Sequence, residues 1–548
     1  MCKPHDFKMS RYSVLFVLLF HFNVIFCLDD DGPIIQLEKG KIQGIIRKSE
    51  SGNNYYAFQE IPYAAPPVGA NRYQLIKEPE PWEGILPTKK NTKICYQVTS
   101  RHKDLEISED CLYMNIYSPD ISGKKLLPVL LWVHGGGFTA ESSTFEYSGP
   151  KYIMDHGVVV VTFNYRLGPF GFIGTDDGVI PLNLGLKDQR FAIEWVSKNV
   201  HLFGGDPKQV TLVGESAGSV AVGYHMISQK PEEDLFRAAI MQSGTPASAL
   251  LKQSDSTENA FKLGRKINKG FTSDNTTELL QLLQNAKAED ILATSITGAV
   301  SVEKEGLFSH LGYQAFIDKK YKKIPVLIGF NSEEWLFLAE YENKTLMKSI
   351  DNDPTLLIPS RVNIHNDMKP KLGEFIKEIY TNNQSFENYY GGYIRYSTDE
   401  LFIMGTCKQV ELSCEDTPYY LYQFAYKGKL GGSIDLIPPP GAERVAHAED
   451  LHYFWDDTTN EDLSKFPLED QLMLHRYTKM WTNFIKYSNP TPEKDPLLQN
   501  FTWLPSEPNT LRYMNINSTF EMLQHPKKYK EIKQELEKYI LPPFDSYW

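Results

Sequence analysis

Short, apolar, β-branched runs alternate with longer amphipathic segments from about residue 125 onward. This alternation is typical of strand–helix–strand units and predicts a mostly parallel sheet covered by helices on both faces. The segment 186–203 has the periodicity of an amphipathic helix. Buried strands are predicted at 129–134, 158–165, 210–214, 237–243, 324–330 and 419–424. The pattern therefore indicates an α/β fold with a large twisted sheet.

Two long segments, 244–320 and 331–410, are charged and have helical periodicity. They predict helical insertions that cap an active site above the sheet. No linker rich in Gly, Pro or Ser separates the segments that carry the strands, and no repeat of fixed period is present. We therefore expect residues 28–548 to form a single domain.

The first 27 residues have the pattern of a secretory signal peptide. Basic residues precede an apolar run at 14–26, and three aspartates follow at 29–31. The apolar run is shorter than the roughly 20 residues that a membrane-spanning helix needs, and no later segment is apolar enough. We therefore expect removal of residues 1–27 and a secreted, extracellular protein without a membrane span.

Four cysteines remain after the predicted cleavage, Cys95, Cys111, Cys407 and Cys414. An even number suits an oxidising compartment, and their spacing lacks the CxxC and histidine pattern of a zinc site. Disulfides are therefore expected, with all three pairings open, and no metal site. Five sequons are compatible with glycosylation after export, at Asn275, Asn343, Asn383, Asn500 and Asn517.

The formal net charge is −12. The predicted signal peptide carries Lys3, Lys8, Arg11 and Asp6, a net of +2, so the mature chain is near −14. Binding to nucleic acid depends on clustered Lys and Arg, so nucleic acid is excluded as an expected partner.

A candidate nucleophile lies in the GESAG motif at 214–218, directly after a predicted strand and before a small-residue apolar segment. A sharp strand-to-helix turn needs small residues on both sides of the serine, because larger side chains would clash there. This context predicts a nucleophile elbow with Ser216 as the nucleophile.

A serine nucleophile needs a general base, and the base needs a carboxylate to orient it. In enzymes with this elbow the chain order is Ser, acid, His. Glu334 follows the predicted strand at 324–330 and is the expected acid, with Glu333 as the alternative. The base is expected in the late loop that holds His447 and His452, and spacing alone does not separate the two.

Three consecutive glycines follow the first central strand in the HGGG sequence at 134–137. Their amides are not covered by side chains, so those of Gly136 and Gly137, with the amide of Ala217, predict an oxyanion hole.

Four motifs together resemble the type B carboxylesterase and cholinesterase family. They are EDCLYMN at 109–115, NYRLG at 164–168, FGGDP at 203–207 and the GESAG elbow. The resemblance covers most of residues 33–545, and the chain looks most like secreted insect carboxylesterases. It implies the α/β-hydrolase fold.

The resemblance also implies roles for individual residues. The HAEDL sequence at 447–451 is similar to the family's catalytic histidine motif, which selects His447 over His452. Glu334 takes the family's acid position, although Trp335 follows it where the family usually has Gly. Cys95 pairs with Cys111 in the family pattern, which leaves Cys407 and Cys414 as a second candidate pair.

These features together predict a serine carboxylesterase that forms an acyl-enzyme on small hydrophobic esters, endogenous or xenobiotic, without a metal or cofactor. The alternative is a catalytically weak binding, sequestering or adhesion relative. Among narrower activities, a cholinesterase is disfavoured because the loop 96–110 lacks the family's choline-site Trp. Juvenile hormone esterases usually carry Gln where this chain has Glu215, and an odorant-degrading esterase is a further candidate. Glu215 is expected either to add a negative electrostatic field in the active-site gorge or to be a buried structural carboxylate. Ser243 is expected to support the active site.

Overall fold

The computed structural model describes most of the chain from Gly32 onward. The described residues are 32–99, 104–228, 230, 232–248, 255–310, 312–341, 343–359, 362–433, 435–456, 462–542 and 547. The predicted signal peptide, residues 1–27, lies outside them.

The described residues form sixteen strands. These are β1 (Ile34–Gln36), β2 (Lys41–Gln43), β3 (Ile45–Lys48), β4 (Asn54–Pro62), β5 (Ile85–Pro87), β6 (Lys93–Cys95), β7 (Glu106–Ser108), β8 (Tyr113–Ser118), β9 (Leu127–Val133), β10 (Val159–Phe163), β11 (Gly205–Glu215), β12 (Ala238–Gln242), β13 (Val326–Asn331), β14 (Tyr419–Phe424), β15 (Tyr513–Ile516) and β16 (Glu521–Leu523).

Thirteen α-helices accompany these strands in the described ranges. They are α1 (Gly168–Phe172), α2 (Leu184–Asn199), α3 (Ala217–Met226), α4 (Ser256–Ile267), α5 (Thr276–Asn285), α6 (Ala288–Ala293), α7 (Gly312–Ile317), α8 (Lys344–Asn352), α9 (Lys369–Thr381), α10 (Tyr390–Thr398), α11 (Met404–Ser413), α12 (Leu468–Tyr487) and α13 (Tyr529–Leu536).

Eleven of the strands form one sheet, in the order β16-β15-β14-β13-β12-β11-β9-β10-β8-β4-β3. The centre, from β10 to β15, is parallel, and the pairs at both ends are antiparallel. The sheet is thus the α/β-hydrolase sheet that the resemblance implied. The carboxyl ends of parallel strands share one edge, where active sites of such sheets lie.

The central strands are buried on both faces, as their continuous apolar runs predict. In β9, Leu131 and Val133 pack into the core on one face of the sheet, while Leu130 and Trp132 pack into the core on the other. The same alternation holds along β10 and β13, because successive side chains of a strand point to opposite faces.

All six strands predicted from the apolar runs are present, as β9 to β14, and the predicted amphipathic helix is α2 with a 3₁₀ turn, Val200–Phe203. The predicted helical insertions hold α4 to α7 and α8 to α11. The strands before residue 119 escaped prediction, because most are short and few have the continuous apolar run of a strand buried on both faces.

Cys95 and Cys111 form a disulfide. The second candidate pair, Cys407 with Cys414, is not formed, since both cysteines are free. They lie seven residues apart on and just after α11, which is about 10 Å along a helix axis, whereas a disulfide needs Cα atoms within about 7 Å. No helix in the described ranges combines the length and apolarity needed to cross a membrane.

Candidate active site

Ser216 lies in the turn between the end of β11 and the start of α3. Its backbone has φ 55° and ψ −123°, which a non-glycine residue rarely adopts. Its amide donates to the carbonyl of Gln242 at 2.8 Å, which fastens the turn to the end of β12. The side chain is partly exposed, so the turn presents the hydroxyl to an incoming ligand.

The two glycines of the elbow are required by close backbone approach. A Cβ on Gly218 would lie 2.0 Å from the carbonyl oxygen of Val133, and one on Gly214 would lie 2.4 Å from backbone atoms of Gly218. Neither neighbour is a flexible side chain. Glycine is therefore the residue that lets α3 start directly against β9.

Glu334 and His447 are in direct contact at the carboxyl edge of the sheet. His447 Nδ1 lies 2.6 Å from Glu334 Oε2, and the His447 amide donates to the Glu334 carbonyl at 3.1 Å. The other carboxylate oxygen, Oε1, accepts from Ser243 Oγ at 2.5 Å and from the Asn331 amide at 2.6 Å. The carboxylate is thus buried and held in place by donors on both oxygens.

The two alternatives from the sequence lie elsewhere. Glu333 is buried, but its Oε1 accepts from Arg395 Nε at 3.3 Å. Burial outweighs the nearby Lys527 and Arg395 and raises the pKa of Glu333 to about 7. His452 lies in the 3₁₀ turn Glu449–Tyr453, with Nε2 against Gly432.

The Nε2 atom of His447 lies 3.1 Å from Glu215 Oε1. Among the described contacts, Ser216 Oγ has no hydrogen bond to His447. Burial alone would lower the pKa of His447, but the carboxylates of Glu215 and Glu334 outweigh it and raise the pKa to about 9. Burial raises the pKa of Glu215 to about 8, against the opposing effect of His447.

Aromatic rings enclose the imidazole. The ring centroid of Phe402 lies 4.9 Å from that of His447, and the centroid of Phe337 lies 5.6 Å away. Phe402 comes from a π-helical turn, Asp399–Ile403, a local widening that is frequent at functional sites. Trp335 follows Glu334 directly; its amide donates to Thr398 Oγ1 and its ring packs on Phe337.

The segment after β9 holds the glycines predicted for an oxyanion hole. Gly136 and Gly137 have φ values of 90° and 63°. The carbonyl of Gly136 accepts from the amides of Thr139 and Ala140, which closes a tight turn. Among the described residues, no acceptor contacts the amides of Gly136, Gly137 or Ala217, so these donors are free for a ligand.

Asp450 is a buried carboxylate that the sequence reasoning missed. Its Oδ2 accepts from Tyr477 at 2.7 Å, Gln242 at 2.9 Å and Tyr422 at 3.1 Å, and its Oδ1 accepts from Asn331 at 3.2 Å. Asp450 thereby ties the ends of β12 and β13 to the histidine loop. Its place in the HAEDL sequence was the one available signal.

No group of three or more His, Cys, Asp and Glu side chains in the described ranges is arranged to hold a metal ion. The site therefore offers a hydroxyl, an imidazole, carboxylates and free backbone amides. Such a set of groups is suited to acyl transfer.

The chain is similar to known esterases over nearly its whole length. The model of the Carboxylesterase family matches residues 31–535. Juvenile hormone esterase of Heliothis virescens is 32% identical over 85% of this chain and 87% of its own length. Carboxylic ester hydrolase of Bombus ignitus is 30% identical over 85% and 88%.

The fold is also similar to that of a solved structure, juvenile hormone esterase from Manduca sexta with OTFP covalently attached. The TM-score is 0.81 at 28% identity, over 92% of this chain and 99% of that one. Because both the family model and these relatives cover most of the sequence, the chain belongs to the carboxylesterase family and is a carboxylic ester hydrolase.

Proposed function

We propose that the protein is a serine carboxylesterase with Ser216 as nucleophile, His447 as general base and Glu334 as the acid that orients the base. The observation that supports this most strongly is the 2.6 Å contact between His447 Nδ1 and Glu334 Oε2. With Nδ1 holding its proton toward the carboxylate, Nε2 is the ring nitrogen left to accept a proton.

The reaction begins from the neutral imidazole, when Nε2 turns from Glu215 to the Ser216 hydroxyl and takes its proton as Oγ bonds to the ester carbonyl carbon. The carbonyl oxygen becomes an anion that accepts hydrogen bonds from the amides of Gly136, Gly137 and Ala217. The carbon–oxygen bond to the alcohol then breaks, and His447 gives its proton to the leaving alkoxide. Water, deprotonated by His447, hydrolyses the acyl-enzyme by the same steps and releases the acid.

The substrates proposed are hydrophobic carboxylic esters, endogenous or xenobiotic. Phe337 is 39% exposed and presents aromatic surface beside the imidazole, where the substrate lies during acyl transfer. Apolar groups gain about 25 cal/mol for each Å² removed from water at such a surface.

Juvenile hormone hydrolysis is a second candidate, favoured by the name of one similar relative and by that of the solved structure reported above. Glu215 distinguishes this chain from the Gln that juvenile hormone esterases usually carry. If juvenile hormone is the substrate, kcat/KM for juvenile hormone exceeds kcat/KM for simple naphthyl esters. The variant Glu215→Gln then keeps this preference for juvenile hormone.

We also propose export as a single domain beginning near residue 28. All five sequon asparagines lie where a glycan can be attached, since Asn275, Asn343, Asn383 and Asn500 are exposed and Asn517 is half-buried. Intact-mass analysis before and after glycosidase treatment of the secreted protein tests both export and glycosylation.

The experiment that tests the main proposal is hydrolysis of p-nitrophenyl esters of increasing acyl length by the purified mature protein and by Ser216→Ala. The expected result is turnover by the unmodified protein and loss of at least about 10³-fold in the variant. Equal activity of the two proteins would show that Ser216 is not the nucleophile. No turnover by either would favour the binding or sequestering alternative.

A further inference from the structure

Gln97 is a buried residue next to the disulfide that none of the steps above uses. It lies two residues after Cys95, inside the loop closed by Cys95 and Cys111, and only 2% of it is exposed. A buried side-chain amide must satisfy its donors and acceptor within the protein, so its partners report what it holds in place.

The partners of Gln97 lie on the glycine turn after β9. Its Nε2 donates to the carbonyl of Glu141 at 2.8 Å, and its Oε1 accepts from the amide of the same residue at 2.8 Å. Nε2 also donates to the Cys95 carbonyl at 3.1 Å, which fixes the amide group relative to the disulfide. Gln97 thus hydrogen-bonds to both the carbonyl and the amide of Glu141. Two such bonds fix the orientation of Glu141 as well as its distance from Gln97.

The turn that Gln97 contacts has an unusual backbone conformation. Gly136, Gly137, Phe138 and Glu141 all have positive φ, and for Phe138 and Glu141 this conformation is strained. Such strain persists only where surrounding contacts over-determine it. At the other end of the turn, the Gly168 amide donates to the Phe138 carbonyl at 2.6 Å. Gln97 is an anchor at the Glu141 end.

We propose that Gln97 is a positioning residue for the oxyanion hole. Its two hydrogen bonds to Glu141, made from the disulfide loop, hold the Gly136 and Gly137 amides where the carbonyl oxygen of the substrate becomes charged. This inference rests on the proposed function. Gln97 acts through the turn and does not contact the substrate. Its loss therefore weakens binding of the charged transition state more than binding of the neutral ester.

The primary variant is Gln97→Met, which nearly preserves volume and removes both hydrogen bonds to Glu141. The matched control is Gln59→Met. Gln59, on β4, is equally buried, with 1% of it exposed. Its side-chain amide also forms two hydrogen bonds of 2.9 Å, donating to Asn91 and accepting from Arg47. Gln97→Glu is the second variant, since it keeps an acceptor for the Glu141 amide but removes the donor.

Three quantities are measured for each protein: kcat per site titrated with an organophosphate, KM for a p-nitrophenyl ester, and the inhibition constant of a trifluoromethyl ketone. The serine hydroxyl adds to the ketone carbon, its proton passes to His447, and the ketone oxygen becomes an anion, so the affinity of the ketone reports on the oxyanion hole. Gln97→Met is expected to lower kcat about tenfold or more while KM stays within about twofold of that of the unmodified protein. The inhibition constant of the ketone is expected to rise by about the same factor by which kcat falls. Gln59→Met is expected to leave all three within about twofold.

The inference is overturned if Gln97→Met and Gln97→Glu match the control in kcat and ketone affinity, or if neither variant folds, because Gln97 would then be a folding element. Loss in kcat with unchanged ketone affinity also overturns it, since the oxyanion amides would still be in place. Failure of the proposed function is separate. It shows as full activity in Ser216→Ala, whatever the Gln97 variants do.

Discussion

His447 Nε2 lies 3.1 Å from Glu215 Oε1, so the imidazole bridges two buried carboxylates, Glu215 on one side and Glu334 on the other. Both carboxylates favour the charged imidazolium and raise the pKa of His447. A base must be neutral to take a proton. The contact with Glu215 therefore opposes the neutral form of His447 that a general base needs.

The first prediction is that Glu215→Gln shifts the pH dependence of kcat/KM. Removing the carboxylate removes a contact that favours the charged ring, so the pKa of His447 falls. The acid limb of the profile, below which the ring is protonated, moves to lower pH. A pH profile of kcat/KM in both proteins measures this. A limb that stays in place or moves upward would show that Glu215 does not set the protonation of His447.

The second prediction separates the two adjacent glutamates. Glu334→Gln removes the carboxylate that orients His447 and is expected to lower kcat by about 10³-fold or more. Glu333→Gln is the matched control, because Glu333 is equally buried but pairs with Arg395, and it should retain kcat within a few-fold. The readout is kcat per titrated site. The opposite ranking would assign the acid to Glu333.

The third prediction concerns Asp450. Its four donors come from separate elements, so Asp450→Ala leaves several buried polar groups without a partner. The free energy of unfolding is expected to fall by about 3 kcal/mol or more. The exposed Asp435→Ala should change it by less than about 0.5 kcal/mol. Urea unfolding of both variants measures the difference, and equal stabilities would contradict the network described for Asp450.

The fourth prediction concerns thiols. The mature protein, from residue 28, is expected to carry two free thiols, Cys407 and Cys414, beside one disulfide. Burial raises the pKa of both thiols, that of Cys414 to about 12, so both are expected to react slowly with iodoacetamide until the protein is unfolded. Peptide mapping after labelling with and without denaturant checks this. A peptide linking Cys407 to Cys414 would refute it.

The centre of the sheet was readable from the sequence because its strands are buried on both faces and therefore appear as unbroken apolar runs. β3 shows why the outer sheet was not: its sequence is two isoleucines followed by Arg47 and Lys48, and one of the isoleucines, Ile46, is 53% exposed. A four-residue run of this kind has no clear period. The sharp turn at Ser216 could be predicted for a different reason. Its glycines are required locally, because a side chain at either position would clash with the backbone.

The acid and base were harder to predict. Glu333 and Glu334 are adjacent, and only the path of the turn decides which one faces His447, so residue spacing leaves both open and the family resemblance was needed. Gln97 and Asp450 could not be found in this way, because their partners Glu141 and Gln242 lie 44 and 208 residues away in sequence. Such contacts exist only once the chain has folded.

The most direct test of the central claim is covalent labelling. The mature protein is incubated with a small organophosphate, digested, and mapped by mass spectrometry, with Ser216→Ala treated in parallel. The account predicts one phosphoryl adduct per chain on Ser216, loss of esterase activity in step with labelling, and no adduct in the variant. An unlabelled Ser216, or an adduct on another serine that removes activity equally well, would contradict it.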